Sequence, residues 1–250
     1  MPFHHLRSRV HEGPVIGTSV AIPSAMVVEA LGSSPFDAIC IDAEHSPLSI
    51  EGLESLLRAA DLAPKAAVVR VPEVGSYIAR VLDLGAAGIV VPRIETAAQA
   101  AEVVERARYA PEGRRGAGPG RGQSYGTGMA EYVAQANAEI LVAIQIETVA
   151  GLEAADEILA TPGIDCVVIG PFDLATSMGV APGSADHTAA IDTIFAAADR
   201  HGVAKGAFIF GPAELAGYLA KGATLIWAGM DIMSVVAGAQ ADWDALELGR

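Results

Sequence analysis

Short apolar runs alternate with amphipathic stretches along almost the whole chain. The runs fall at Val15–Val20, Ala38–Ile41, Ala66–Val71, Ala87–Val91, Leu141–Ile146, Cys166–Ile169, Ala204–Phe210 and Leu225–Ala228. Each is rich in valine and isoleucine and flanked by turn residues, the pattern of a strand buried on both faces. Helical spacing predicts helices over Ile50–Ala60, Tyr77–Leu84, Thr96–Arg108, Leu152–Ala160, Ala189–His201 and Ala213–Lys221. Gly85, Gly202 and Gly222 stand where helix C-terminal glycines belong. About eight such strand–helix repeats predict an α/β fold, a (β/α)8 TIM barrel, in one domain spanning residues 1–250. An open doubly wound sheet is the alternative. No composition break marks a linker.

Composition narrows the class. The chain is 52% hydrophobic with a mean hydropathy of +0.39, high for a soluble monomer, so part of the apolar surface is expected in a subunit interface. No run of about 18 residues is free of charge or helix breakers, which argues against a membrane span. The net charge of −14 would repel nucleic-acid phosphates, and an anionic substrate would need locally concentrated arginine. The start, Met1 to Arg7, has no apolar core of signal-peptide length. Cys40 and Cys166 both lie in predicted strands and read as buried thiols, which fits a reducing cytoplasm.

One segment breaks the rhythm. Pro111 to Gly122 is rich in glycine and carries Arg114, Arg115 and Arg121. It follows a helix rather than a strand, so it is not a dinucleotide loop. A mobile, arginine-bearing loop near the barrel mouth is expected, with a plain surface loop as the alternative.

The candidate chemistry collects at strand ends, where barrel active sites are built. Asp42, Glu44 and His45 follow the second run, Arg70 ends the third, Gln145 and Glu147 close the fifth, and Gly170-Pro171-Phe172-Asp173 follows the sixth. Carboxylates are costly beside buried strands without a cation or donor, so Glu147 and Asp173 read as a divalent-metal pair, with helix caps or ion pairs as the alternative. Lys65, Lys205 and Lys221 are not placed for a Schiff base in the mouth. Asp42 lies three residues before His45 and is expected to orient its imidazole. Arg70 is either a core cation paired with Asp42 or Glu44, or the stabiliser of an oxyanion. Asp83 sits in a helix and reads as structural.

On these residues the sequence resembles the metal-dependent (class II) pyruvate aldolases typified by 4-hydroxy-2-oxoheptanedioate aldolase, relatives of 2-dehydro-3-deoxyglucarate aldolase and macrophomate synthase. The resemblance runs from Gly17 to about Gly238. It is carried by Phe36-Asp37, Ile41-Asp42-Ala43-Glu44-His45, Val69-Arg70-Val71-Pro72, Leu82-Asp83-Leu84-Gly85-Ala86, Tyr109 to Gly116, Gln145-Ile146-Glu147-Thr148 and Ile169-Gly170-Pro171-Phe172-Asp173-Leu174. It implies that Glu147 and Asp173 bind Mg2+, Mn2+ or Co2+, with no organic cofactor. It places Gln145 beside the oxo acid and gives Arg70 the enolate and the aldol oxyanion. His45, supported by Asp42, works with a metal-bound water in proton transfer, and the amides of Phe172 and Asp173 hold the substrate carboxylate. The partners implied are a 2-oxo acid, a small aldehyde and copies of the same chain, in a hexamer built as a trimer of dimers with the last helix exchanged. Phe172, Arg93 and the glycines of 116–128 depart from the family pattern, and these departures bear on the aldehyde. Phe210 is expected to shape the pocket, with barrel-top packing as its alternative.

Two other readings compete. A citrate-lyase-like enzyme would act on an acyl-CoA and need a basic groove, for which only Arg114, Arg115 and Arg121 are clustered enough. A non-catalytic metal- or oxo-acid-binding barrel would not need a proton-transfer group such as His45.

Overall fold

Strand pairing closes on itself in this chain. The computed structural model describes residues 4–63 and 65–246; of the start considered above, residues 1–3 lie outside the described residues. Among the described residues the strands are β1 (Val15–Val20), β2 (Ala38–Asp42), β3 (Ala66–Arg70), β4 (Gly88–Val91), β5 (Leu141–Gln145), β6 (Cys166–Ile169), β7 (Ala204–Ile209) and β8 (Leu225–Met230). They pair in parallel in chain order and β8 returns to β1, which makes a (β/α)8 barrel and excludes the open sheet. The helices are α1 (Leu6–Glu12), α2 (Ala25–Gly32), α3 (Ile50–Ala60), α4 (Tyr77–Asp83), α5 (Ala97–Ala107), α6 (Met129–Glu139), α7 (Val149–Glu153), α8 (Ala155–Leu159), α9 (Pro171–Met178), α10 (Ala185–His201), α11 (Pro212–Ala220) and α12 (Asp231–Ala245).

Strand alternation divides the apolar residues into two cores. Alternate side chains such as Cys40, Val68, Val90, Ala143, Val168 and Leu225 fill the barrel interior. The intervening ones, such as Ile39, Val69, Ile89, Ile144 and Val167, pack outward against helix faces such as Leu53, Leu56 and Leu57 of α3. The interior is sealed at its amino end by α1, whose Leu6 and Val10 are fully buried against the inner set. Arg7 fixes that plug by donating to Asp165 at 2.7 Å, ahead of β6. Trp227 fills the interior beside Gly17, where a β-carbon would overlap the indole ring.

The arginine-bearing loop is not at the mouth. Barrel helices run antiparallel to their strands, so a segment that follows α5 begins at the amino end. There Arg115 is buried, donates to Asp83 at 2.7 Å, and lies 4.7 Å from the ring centre of Tyr109. Arg121 donates to the Leu84 carbonyl at 2.8 Å and pairs with Asp61. Asp83 is therefore structural, as its helical position suggests. The loop is tethered on the far side of the barrel from the strand carboxyl ends.

The last helix leaves the barrel body. Asp231 is buried and its carboxylate accepts the amides of Ala21 and Ile22 at 2.9 and 3.0 Å. Every residue of α12 after it is exposed. No helix among the described residues is long and apolar enough to cross a membrane.

Candidate active site

Three strands end on a polar residue that points into the barrel. Asp42, Arg70 and Gln145 are the last residues of β2, β3 and β5, in phase with the inward apolar residues before them. Glu147, two residues beyond Gln145, shares its side by the same alternation. All four are buried, and together they form a polar layer over the apolar interior.

Register sets the central ion pair. Asp42 and Arg70 are direct partners between β2 and β3. Arg70 Nε donates to Asp42 Oδ1 at 3.0 Å and Nη2 to Oδ2 at 2.6 Å, a bidentate grip. The guanidinium lies 4.8 Å from the ring centre of Phe208. Asp42 Oδ1 also accepts the amides of Glu44 and His45 at 3.0 and 3.2 Å. Burial works to raise the Asp42 carboxyl, but Arg70's hydrogen bonds and charge outweigh it and hold it below its ordinary value.

This geometry corrects one expectation. Asp42 does not support the His45 ring, because its oxygens are committed to Arg70 and to backbone amides. The ring instead faces Glu44, with Nε2 3.6 Å from Oε2. Glu44 Oε2 also stands 3.3 Å from Arg70 Nε, yet it is buried and accepts no hydrogen bond. Burial pushes the Glu44 carboxyl up against the pull of Arg70. His45 itself is exposed at the rim.

Glu147 is 3% exposed and held at both oxygens. Oε1 accepts the Arg93 amide at 3.0 Å and Oε2 accepts Gln145 Nε2 at 2.7 Å. Burial, then the nearby charges of Glu44 and Asp173, push its carboxyl up to about 7. Gly170 makes room for it: a β-carbon there would overlap Glu147 Oε2. Asp173 is exposed in the first turn of α9. The amides of Phe172 and Asp173 precede the first intrahelical bond, from Leu174 to the Gly170 carbonyl, and so face outward as donors.

These residues fit a divalent cation. Glu44 and Asp173 raise the proton affinity of Glu147, so the three make a hard-oxygen set that positive charge would stabilise, and Gln145 Oε1 is buried with no donor. No group of three or more His, Cys, Asp and Glu side chains converges as a ligand set among the described residues. Glu147 and Asp173 would hold such an ion, with further oxygens needed to complete its shell. The lysines are committed elsewhere: Lys65 to the carbonyls of Ser34 and Phe36, Lys205 to Asp199 and Lys221 to Asp192.

The mouth holds a small cavity of about 40 Å3 lined by Arg70, Gly170, Asp173, Phe208, Phe210 and Met230. Phe210, one residue past β7, is 50% exposed and Phe172 is 61% exposed. Both rings also border a groove of about 510 Å3 that runs between α10 and α11. Phe210 thus borders both the cavity at the mouth and the groove beside it.

Comparison with known proteins places this geometry. The model of the HpcH/HpaI aldolase/citrate lyase family matches residues 18–238. The chain belongs to that family. It is 40% identical over 222 residues to a 5-keto-4-deoxy-D-glucarate aldolase of Klebsiella pneumoniae, covering 87% of this chain and 86% of the relative. It is 39% identical over 239 residues to a hydroxypyruvate/pyruvate aldolase of Paraburkholderia phytofirmans, covering 91% and 92%. An HpcH/HpaI aldolase/citrate lyase family protein from Burkholderia cenocepacia superposes with a TM-score of 0.90 at 33% identity, over 96% of this chain and 98% of that one. The protein is an HpcH/HpaI-family enzyme, a carbon–carbon lyase of the aldolase kind.

Within this HpcH/HpaI site, sequence reasoning left three contributors without a role. Glu44 was visible only as a potential partner of Arg70, although its neighbour His45 was a signal. The Arg93 amide gave none, because a backbone donor has no residue-type signature. Phe208 follows from counting inward positions along β7 from Ala204. The basic groove needed by an acyl-CoA is not at this mouth. Arg115 is buried, and Arg114 and Arg121 pair with Glu105 and Asp61 at the amino end.

Proposed function

We propose that this enzyme catalyses reversible, divalent-metal-dependent aldol addition and cleavage, with pyruvate or a substituted pyruvate such as hydroxypyruvate as enolate donor and a small aldehyde as acceptor. The observation that carries this reading is Glu147: a carboxylate pushed up to about 7 by burial, Glu44 and Asp173, within a polar layer that also holds Arg70. The relatives named for 5-keto-4-deoxy-D-glucarate and for hydroxypyruvate/pyruvate support the donor class.

A cation held by Glu147 and Asp173 would polarise the donor carbonyl and make its neighbouring carbon acidic. Mg2+, Mn2+ and Co2+ all suit two carboxylates. The outward amides of Phe172 and Asp173 bind the donor carboxylate, and Gln145 lies alongside. Arg70 is fixed from below by Asp42, so its charge is preorganised for oxygen that becomes negative in the enolate and in the aldol. His45 moves the proton at Nε2; its exposed ring exchanges with solvent, and Glu44 beside it sets its direction. Phe172 and Phe210 flank the acceptor. No organic cofactor is required.

The catalytic unit is the single barrel, working in a homo-oligomer through α12, a trimer of dimers by resemblance. Buried free thiols at Cys40 and Cys166 are consistent with a cytoplasmic enzyme.

The test is methyl-proton exchange of pyruvate in D2O, followed by NMR after chelator treatment, with and without Mg2+ or Mn2+. Metal-dependent exchange that disappears in Glu147→Ala is expected. Exchange with neither pyruvate nor hydroxypyruvate, whatever the metal, would remove the donor assignment.

A further inference from the structure

Arg93 stands at the carboxyl-end rim, after β4 and Pro92, and its backbone is left-handed with φ 53°. A residue with a β-carbon seldom adopts that conformation, and glycine is the usual occupant. Local contacts hold it here: the Arg93 amide donates to Glu147 Oε1 at 3.0 Å, and the next amide, Ile94, donates to the Gln145 carbonyl at 3.0 Å. Glycine would make both bonds without strain, so the bonds do not account for an arginine.

The side chain is exposed and makes no hydrogen bond or ion pair among the described residues. Arg70, deeper in the mouth, is held by Asp42, stands beside Glu44, and is assigned above to the reacting oxygen rather than to the acceptor's far end. Asp42, Glu44, Glu147 and Asp173 give the mouth four carboxylates, on a chain of net charge −14. An aldehyde with its own negative group would be repelled from such a mouth unless a free cation met it. Arg93 is an exposed cation beside that mouth, and no existing ion pair has to break for it to act.

We infer that Arg93 is a specificity-determining residue. It favours acceptor aldehydes that carry a carboxylate or phosphate a few carbons beyond the carbonyl. The inference rests on the aldol reading above and adds the class of acceptor. The guanidinium fork pairs with either anion through two parallel hydrogen bonds.

The experiment compares matched acceptors in pyruvate addition: succinic semialdehyde against butanal, and glyceraldehyde 3-phosphate against glyceraldehyde. The reading is the ratio of kcat/KM within each pair, for the unaltered enzyme, Arg93→Met and Arg93→Lys. At least one ratio should fall about tenfold in Arg93→Met, the loss of one charge-assisted contact, with Arg93→Lys between. The pair that responds tells carboxylate from phosphate. Added salt should lower the same ratio in the unaltered enzyme and barely change it in Arg93→Met. Unchanged ratios in both pairs would overturn the inference, as would a change confined to sedimentation, which would make Arg93 a contact between subunits. Pyruvate proton exchange needs no acceptor and is measured on the same preparations. Exchange with unchanged ratios removes the role of Arg93 alone; no exchange in the unaltered enzyme removes the donor chemistry as well.

Discussion

Asp42 grips Arg70 through both carboxylate oxygens, at 3.0 and 2.6 Å, because barrel register makes the two residues neighbours at the ends of β2 and β3. The carboxylate spaced to serve His45 therefore serves the arginine. The imidazole is left facing Glu44, whose buried Oε2 accepts no hydrogen bond.

Exchanging these partners by mutation separates the two roles. Asp42→Asn leaves a buried guanidinium without its counter-charge and should destabilise the fold by about 3 kcal/mol, with a fall in activity like that of Arg70→Ala, on the order of 100-fold or more in kcat. Glu44→Gln keeps the Arg70–Asp42 grip and should leave Tm nearly unchanged. Its effect on kcat should couple to that of His45→Ala, with an interaction of about 1 kcal/mol in a double-mutant cycle. Asp42→Asn combined with His45→Ala should be closer to additive. The reverse pattern of coupling would return the His45 ring to Asp42.

Gly170→Ala tests the packing under Glu147. The added methyl would overlap Glu147 Oε2 and crowd Gln145 Nε2, so the carboxylate must turn away. The barrel should still fold, with circular dichroism like that of the unaltered protein. Affinity for Mn2+ should fall about tenfold or more, the range seen when support for a ligand is lost. Unaltered Mn2+ affinity, read by proton relaxation of water, would mean that Glu147 does not need this position.

The barrel was legible because parallel strands buried on both faces leave near-continuous apolar runs, and eight of them with intervening helices admit few closures. The same counting gave Asp42, Arg70, Gln145 and Glu147 at the mouth. Pairing among them was less legible. Sequence distance brought Asp42 to His45, while register, which depends on strand stagger, brought it to Arg70. The loop bearing Arg115 was misplaced for a related reason. Its arginines suggested a binding role, yet a segment that follows a helix starts at the amino end, where Asp83, Tyr109 and Tyr132 enclose the guanidinium. The Arg93 amide and the clearance at Gly170 are backbone properties that residue types do not display.

Glu147 links metal binding to pH. Its carboxyl rises from an ordinary 4.5 to about 7, chiefly through burial and then through Glu44 and Asp173. The folded state thus holds this proton more tightly than the unfolded chain. Stability from the protonated form is full below about pH 4.5 and is lost as pH rises through about 7. A cation needs the carboxylate, so binding near pH 6 should release close to one proton, and affinity should climb until about pH 7 and then level off. Calorimetry in buffers of different ionisation enthalpy measures the release directly. The chelated Glu147→Gln protein should lose less Tm than the unaltered protein between about pH 5 and 8. Metal affinity that is flat with pH, with no proton released, would contradict the assignment.

The last helix carries a prediction about assembly. Asp231 anchors α12 to the loop after β1, and beyond it Ile232, Val235 and Val236 are 50%, 61% and 67% exposed. Branched apolar side chains in that number on one protruding helix are unfavourable in water, and a second copy is the surface that can cover them in a closed, symmetric assembly. Each valine buried in such a contact contributes roughly 1.5 kcal/mol or more, repeated by symmetry in every subunit. Val235→Asp combined with Val236→Asp should therefore shift the sedimentation mass from an oligomer to a monomer, while the barrel, which does not use these side chains, keeps its circular dichroism. An unaltered chain that sediments as a monomer, or an oligomer that survives both aspartates, would show that α12 is not the contact.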